Sequence, residues 1–354
     1  MKALVLSGGA GTRLRPFSYS MPKQLIPIAN KPVLEHVLEN VRALGVTEVG
    51  VIVGDWADEI AQVIGDGSRL GLRITLIPQE KPLGLAHCVA LARPFLGDDD
   101  FVMYLGDNML PGGIADIAAD FTAQRPDAQV VVHKVRDPRA FGVAELAPDG
   151  SVMRLVEKPE QPRSDLALIG VYFFTAAIHR AVAAIAPGAR GELEITDAVQ
   201  WLLTHGSCVT ASEYDGYWKD TGRAEEVLAC NRQLLGELTT RVDGEVDSAS
   251  ELTGRVVVEA GARLVRSTVT GPAIIGASTV IENSTVGPHT SIGRDCLLRD
   301  AALTDSIVMD GASISAVTGL RGSLIGRNAV VGVRAEGDGH RLVIGDHTRI
   351  EVAA

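Results

Sequence analysis

Glycines, two cationic side chains and a pair of distant aspartates are the residues whose types and spacing could do chemistry in this sequence. Leu6-Ser7-Gly8-Gly9-Ala10-Gly11-Thr12-Arg13-Leu14-Arg15-Pro16 places a glycine-rich turn directly after a short apolar run. A turn of that composition lets backbone N–H groups come close to phosphate oxygens. The forked guanidinium of Arg13 suits the β- and γ-phosphates of a nucleotide. The spacing is not that of a dinucleotide-binding turn, because Leu14 stands where the third glycine belongs, and no Gly-Lys-Ser/Thr closes it as a P-loop. On the glycines alone, an ordinary strand-to-helix turn remains the alternative. Lys23 sits in Pro22-Lys23-Gln24-Leu25-Ile26-Pro27, boxed between two prolines just after that turn. This position suits a phosphate contact, although loop lysines are more often simply solvated. Asp107 and Asp220 each end a strand-like segment. By residue type, each reads as a carboxylate for a hard divalent cation or as a turn or helix-cap aspartate.

Apolar spacing supplies the elements that must position these groups. Ala3-Leu4-Val5-Leu6 reads as a short buried strand. Val33, Leu34, Val37, Leu38, Val41 and Leu44 recur at helical spacing, and Gly45 stops them. Val49 to Val53, Leu72 to Ile77 and Phe101 to Leu105 read as further strands, with a helix starting at about Gly84. The alternation predicts an α/β fold with a doubly wound, mixed but mostly parallel sheet. Ligands in such folds lie beyond the carboxyl ends of the strands. Ser7-Gly8-Gly9 and Gly106-Asp107-Asn108 fall at two such ends.

From about residue 244 the helical period disappears. Ile274, Val280, Val286, Ile292 and Leu298 recur every six residues. Shorter runs follow: Val308, Ile314, Leu320; Leu324, Val330; Ile344, Ile350. Gly, Asn, Ser, Thr and Asp fill the places between. This pattern resembles the hexapeptide repeat of left-handed parallel β-helices, whose coils bury one aliphatic position per repeat by stacking. The expected division is 1–243 and 244–354. The repeat region is expected to serve assembly or regulation, with a homo-oligomer as the result. His289 and His347 invite comparison with the catalytic histidine of hexapeptide acyltransferases, but a turn histidine on a coil surface is the plainer account.

The chain has 354 residues, 46% of them apolar, and a formal charge of −11. That charge argues against nucleic acid as a partner. It leaves anionic small molecules open, since local cations set the field in a cleft. Cys88, Cys208, Cys230 and Cys296 form no CxxC pair, which points to reduced thiols and a cytoplasmic location. Cys88 and Cys208 fall in apolar segments and are expected in the core. The first apolar run is too short for a secretory leader, and no stretch of 18 or more apolar residues suggests a membrane span.

GGAGTRLRP followed by PKQLIPIANKP resembles the signature of the sugar-1-phosphate nucleotidylyltransferases. Pro78-Gln79-Glu80-Lys81-Pro82-Leu83-Gly84-Leu85-Ala86 resembles the base-recognition segment of the glucose-1-phosphate thymidylyltransferases. Leu105-Gly106-Asp107-Asn108 resembles their metal-binding turn. Phe141 to Glu145 and Val156 to Pro159 resemble their sugar-binding strands. Gly191 to Asp197 and Tyr217 to Gly222 match two further blocks, and with the repeat tail the whole chain resembles the family's long form, which serves deoxysugar and antibiotic pathways.

The resemblance implies a Rossmann-like nucleotidyltransferase domain that makes dTDP-glucose and pyrophosphate from dTTP and glucose 1-phosphate. The sugar phosphate attacks the α-phosphorus in line, with Mg2+ as the cofactor. It implies Asp107 and Asp220 as metal ligands, and Arg13 and Lys23 on the nucleotide phosphates. Leu6, Gly8, Gly9, Gly11, Thr12, Gln79, Pro82 and Gly84 would complete the nucleotide contacts. Gln79 can offer a donor and an acceptor to a pyrimidine edge, and Gly84 leaves room for the base. Lys158 would hold the sugar phosphate; otherwise it is an exposed ion-pair partner of Glu157 or Glu160. Glu157 and backbone groups at Gly142 and Gly170 would accept sugar hydroxyls. Tyr172 would line the sugar pocket or belong to the core. Met21-Pro22, Leu83, His87 and Arg223 depart from the short form and bear on thymine over uracil. A UTP-using or other nucleotidylyltransferase is therefore the alternative within enzymes. A non-catalytic nucleotide-sugar-binding regulator is the alternative outside them, against which the intact set Arg13, Lys23, Asp107, Lys158 and Asp220 argues. A bifunctional chain with an acyltransferase tail is a further reading.

Overall fold

The computed structural model of the chain describes residues 1–9, 11–332 and 346–351. Two compact units emerge: residues 1–10 with 33–220, and residues 11–32 with 221–354.

The first unit is built on a nine-stranded sheet. Its main path runs Val152–Glu157, Gly142–Leu146, Leu166–Phe174, Phe101–Leu105, Lys2–Ser7, Glu48–Val53, Arg73–Pro78. The last four strands are parallel to one another. They are almost wholly apolar where they are central, as strands covered on both faces must be. Leu166–Phe174 joins Phe101–Leu105 antiparallel, which makes the sheet mixed as expected. Lys2–Ser7 has Glu48–Val53 on one side and Phe101–Leu105 on the other, so strand order reverses there. Open α/β sheets bind ligands beyond the strand ends at such a reversal. On one side, Leu4, Leu6, Ile52 and Met103 share a buried cluster with Ala86, Val89, Ile178, Ala198 and Leu202 from three helices, Leu85–Leu91, Ile178–Ala184 and Ile195–Thr204. That packing fixes the strand ends from which the site projects.

In the second unit, three stacked parallel sheets run along the repeats, one strand of each per coil. This is the architecture of a left-handed β-helix. Register fixes which side chains point inward. Arg263 pairs with Val280 and Val280 with Leu297, so a coil takes 17 residues here rather than three full hexapeptides. The buried column is accordingly Ile275, Ile281, Val286, Ile292, Leu298, Leu303, Val308, Ile314 and Ile325. The expected inward positions Ile274 and Val280 are one residue out of phase. Ile274 instead points away from the coil, where Val257, Leu235, Leu238 and Ala29 cover it. Leu324 and Val330 are displaced the same way by Ile325 and Val331, and Val330 is exposed. Ile350 is exposed as well, and Ile344 lies outside the described residues. The corners explain the polar filler. Ser278, Asn283, His289, Asp295, Asp300 and Asp305 all take left-handed backbone angles. Short polar side chains tolerate that region best among non-glycine residues. His289 is thus a corner residue of the repeat unit, and His347, beyond the last stacked strand, also takes a left-handed backbone angle.

The first rung of the stack is Arg241–Val242, which pairs with Val256–Val258, so the coil begins before residue 244. The helix Ala224–Gly236 and the loop 11–32 belong to the same unit. That loop folds back as a hairpin, Pro27–Ile28 against Lys31–Pro32. The four cysteines are free. Cys88 is buried as expected, but Cys208 is exposed, in the turn between the helix Ile195–Thr204 and the strand Val209–Glu213. There its backbone N–H donates to Asp127 Oδ2 at 3.0 Å.

Candidate active site

The two aspartates come together through a minimal ladder. Asn108–Met109 pairs antiparallel with Lys219–Asp220, and Asp220 lies directly across from Asn108, the neighbour of Asp107. The turn is set at the strand reversal, since Gly106 donates its N–H to the carbonyl of Leu6 at 2.8 Å. Trp218, itself buried, donates Nε1–H to Asn108 Oδ1 at 2.8 Å, and Asn108 Nδ2 donates to Asp107 Oδ1 at 3.1 Å. Gly170, at φ +77°, leaves the space for this arrangement: a Cβ there would lie 2.7 Å from Leu105 Cδ1 and 3.1 Å from Asn108 Nδ2. Among the described residues no group of three or more His, Cys, Asp or Glu side chains could hold a metal ion. Two carboxylates suffice for Mg2+, a hard cation that keeps its remaining positions for water and substrate phosphates. Asp107 and Asp220 fit that donor set.

Beside Ser7, a Cβ on Gly8 would lie 2.9 Å from Gln79 Oε1, so glycine there gives that amide room at the end of the first strand. Gln79 is buried, and its Nε2 lies 3.2 Å from both His87 Nδ1 and Cys88 Sγ. Burial pushes the Cys88 thiol up to about 12, which makes it inert as a nucleophile. Pro82 and Leu83 are exposed on the same segment. Gly84 also has a structural reason within the fold. At φ +106°, a Cβ there would meet Leu193 O at 2.4 Å and Leu193 N at 2.7 Å. The protein's own backbone, bonded through Leu193 N–H to Leu83 O at 2.7 Å, occupies the place where a Cβ would go.

Glu157 ends an antiparallel edge strand and accepts Thr196 Oγ1–H at 2.7 Å and Arg190 Nη2–H at 3.1 Å. Arg190 also binds Glu194 at 2.6 Å. Lys158 follows at φ +42°, its N–H held by Phe141 O at 3.0 Å and its Nζ 3.6 Å from Glu157 Oε1. A Cβ on Gly142 would lie 2.7 Å from Thr196 Oγ1 and 3.2 Å from Glu157 Oε2. Burial raises the Glu194 carboxyl above its ordinary range, with Arg190 opposing, and burial followed by Glu157 raises Asp197. Tyr172 belongs to the core, its ring stacked on Phe174 at 5.9 Å. Burial and then the nearby Glu157 and Glu194 charges raise its hydroxyl's pKa, so it stays protonated.

In the second unit, Thr12–Leu14 is a single 3-10 turn entered through left-handed Gly11. Arg13 is exposed on it. A Cβ on Gly11 would lie 3.4 Å from Lys23 Cβ, so the two halves of the signature pack on each other.

A family model, nucleotidyl transferase, matches residues 2–237. A glucose-1-phosphate thymidylyltransferase of Streptomyces griseus is 54% identical over 355 residues, 100% of both chains. One from Streptomyces antibioticus is 51% identical over 99% of both. Among solved structures, a Bacillus anthracis protein described as a glucose-1-phosphate thymidylyltransferase, in complex with sucrose, superposes with a TM-score of 0.62 at 32% identity, covering 65% of this chain and 94% of that one. The chain belongs to the nucleotidyl transferase family.

Within this nucleotidyltransferase the sequence reading missed Arg190, Thr196 and Trp218. Each stands in a quoted or adjacent block, yet only tertiary contact shows that Arg190 and Thr196 hold Glu157 and that Trp218 holds Asn108. The Gly84 contact has a direct consequence. Gly84→Ala combines backbone strain with a clash against Leu193, and we expect it to lower unfolding free energy by about 2 kcal/mol or more in chemical denaturation. A change below about 0.5 kcal/mol, the ordinary range of surface substitutions, would show that this backbone contact is not formed.

Proposed function

We propose that this nucleotidyltransferase is a glucose-1-phosphate thymidylyltransferase, making dTDP-glucose and pyrophosphate from dTTP and glucose 1-phosphate. The observation that carries this reading is the Asp107–Asp220 pair at the strand reversal, within the same unit as an amide-bearing segment at Gln79 and a polar cluster at Glu157 and Lys158. The whole-length thymidylyltransferase relatives support the choice of substrates.

Both reactants are anions, so the reaction depends on positioning and on offsetting charge. Asp107 and Asp220 would hold Mg2+, which when bound would offset phosphate charge. Arg13 and Lys23 take the nucleotide phosphates. Gly8 and Gly9 offer backbone N–H groups to them, with Gly11 and Thr12 on the same signature. Gln79 presents its amide to the pyrimidine edge. Glu157, fixed by Thr196 and Arg190, accepts sugar hydroxyls, and Lys158 holds the sugar phosphate so that its oxygen faces the α-phosphorus. The work is done in the cytoplasm, and the repeat domain, whose first rung is Arg241–Val242, serves assembly or regulation.

A panel of dTTP, UTP, ATP and GTP against several sugar 1-phosphates, read by pyrophosphate release with Mg2+ and after chelation, tests this. dTTP with glucose 1-phosphate and Mg2+ should be the fastest pair. Preference for UTP would move the chain to the uridylyl reading, and tight nucleotide binding without turnover in any pair would make it a regulator.

A further inference from the structure

The signature loop is clamped to the β-helix by one buried amide. In the hairpin Pro27–Ile28/Lys31–Pro32 the two turn residues, Ala29 and Asn30, have φ of +49° and +60°. Two successive positive angles make a turn that ordinarily calls for Asn-Gly or Gly-Gly, and alanine is poorly suited to it. Contacts from outside the loop hold it in place. Asn231, on the helix Ala224–Gly236 and fully buried, accepts the Ala29 N–H at 2.9 Å with its Oδ1. The same oxygen accepts Ser291 Oγ–H at 2.7 Å, and its Nδ2 donates to His289 O at 3.2 Å. Both partners lie on one coil of the β-helix. Asn30 completes the clamp by donating Nδ2–H to Ile292 O at 2.6 Å, on that same coil.

Lys23 stands between this clamp and a second one. On its far side Arg327, from a later coil, donates to Ser20 O at 2.8 Å. Between the two, Gln24, Leu25, Ile26 and Ile28 are buried. A segment packed this way transmits a shift of the hairpin to Lys23 instead of absorbing it.

We propose that Asn231 is a positioning residue for the triphosphate end of the reaction: through Ala29 and Asn30 it seats the Lys23 loop on the β-helix coil at His289–Ile292. The repeat domain is then part of the catalytic apparatus and not solely an assembly device. For the named substrates this rests on the thymidylyltransferase reading.

The test uses the full chain with Asn231→Ala, which favours the helix intrinsically, and with Asn30→Gly, which keeps the turn unstrained while removing the tether. We expect faster hydrogen–deuterium exchange in peptides spanning residues 22–32 of the unliganded protein for both variants. We also expect kcat/KM for dTTP to fall about 10- to 100-fold, while KM for glucose 1-phosphate changes less than about twofold. A merely structural amide would lower both substrates' parameters together through loss of folded enzyme, and that outcome overturns the proposal. Unchanged exchange in both variants overturns it as well. The exchange measurement needs no substrate, so an enzyme that ignores dTTP would refute the proposed function while leaving the clamp to be judged by itself.

Discussion

Asp107→Asn should lower turnover at least about 100-fold with the fold retained, the loss typical of removing one charge-stabilising group. The substitution is isosteric, and Asp107 has a polar neighbour, Asn108 Nδ2 at 3.1 Å, that an amide oxygen can still satisfy. Stability should therefore hold while the charge disappears. Asp220 lies across from Asn108, the neighbour of Asp107, and among the described residues no group of three or more possible ligands offers a replacement carboxylate. The Mg2+ concentration needed for half-maximal rate should rise in the variant, which separates a ligand from a turn aspartate. Turnover within about threefold of wild type, less than 1 kcal/mol of barrier, would take Asp107 off the metal and leave it a turn residue.

Lys158→Ala should cost at least about 100-fold, close to 2.7 kcal/mol of barrier, with the effect concentrated on glucose 1-phosphate. Magnitude separates this role from the bland one. The Lys158–Glu157 contact is long, 3.6 Å, and both side chains are partly exposed. A pair of that kind contributes about 0–1 kcal/mol to stability. Glu157 also keeps Thr196 and Arg190 when Lys158 is removed. Melting should therefore hardly move while the rate collapses. A variant with near-wild-type kcat/KM would leave Lys158 as the ion-pair partner that its sequence context alone allows.

Much of the fold was legible because its signals are local. The strand from Phe101 to Leu105 was read with its observed bounds, since a continuous apolar run between turn signals has few other homes. The β-helix was legible as a period but not as a phase. Its coil takes 17 residues between Arg263 and Val280, so a strict six-residue count drifts by one, and Ile275 rather than Ile274 faces inward. Cys208 misled because an apolar neighbourhood in sequence did not bury it, and a backbone from far along the chain, at Leu193, gives Gly84 a structural reason that its own segment does not show.

The sequence by itself determined the side-chain and backbone types on offer: a glycine-rich turn, Arg13, Lys23, two aspartates and a lysine, each in a motif short enough to be read without folding the chain. Tertiary structure alone decided which of them meet. Asp220 comes to lie across from Asn108, beside Asp107, through the Asn108–Met109/Lys219–Asp220 ladder, and the hairpin that follows Lys23 meets Asn231 and a coil more than 200 residues later. Side-chain type is encoded residue by residue, whereas proximity between distant residues arises from strand pairing and packing, which no local spacing records.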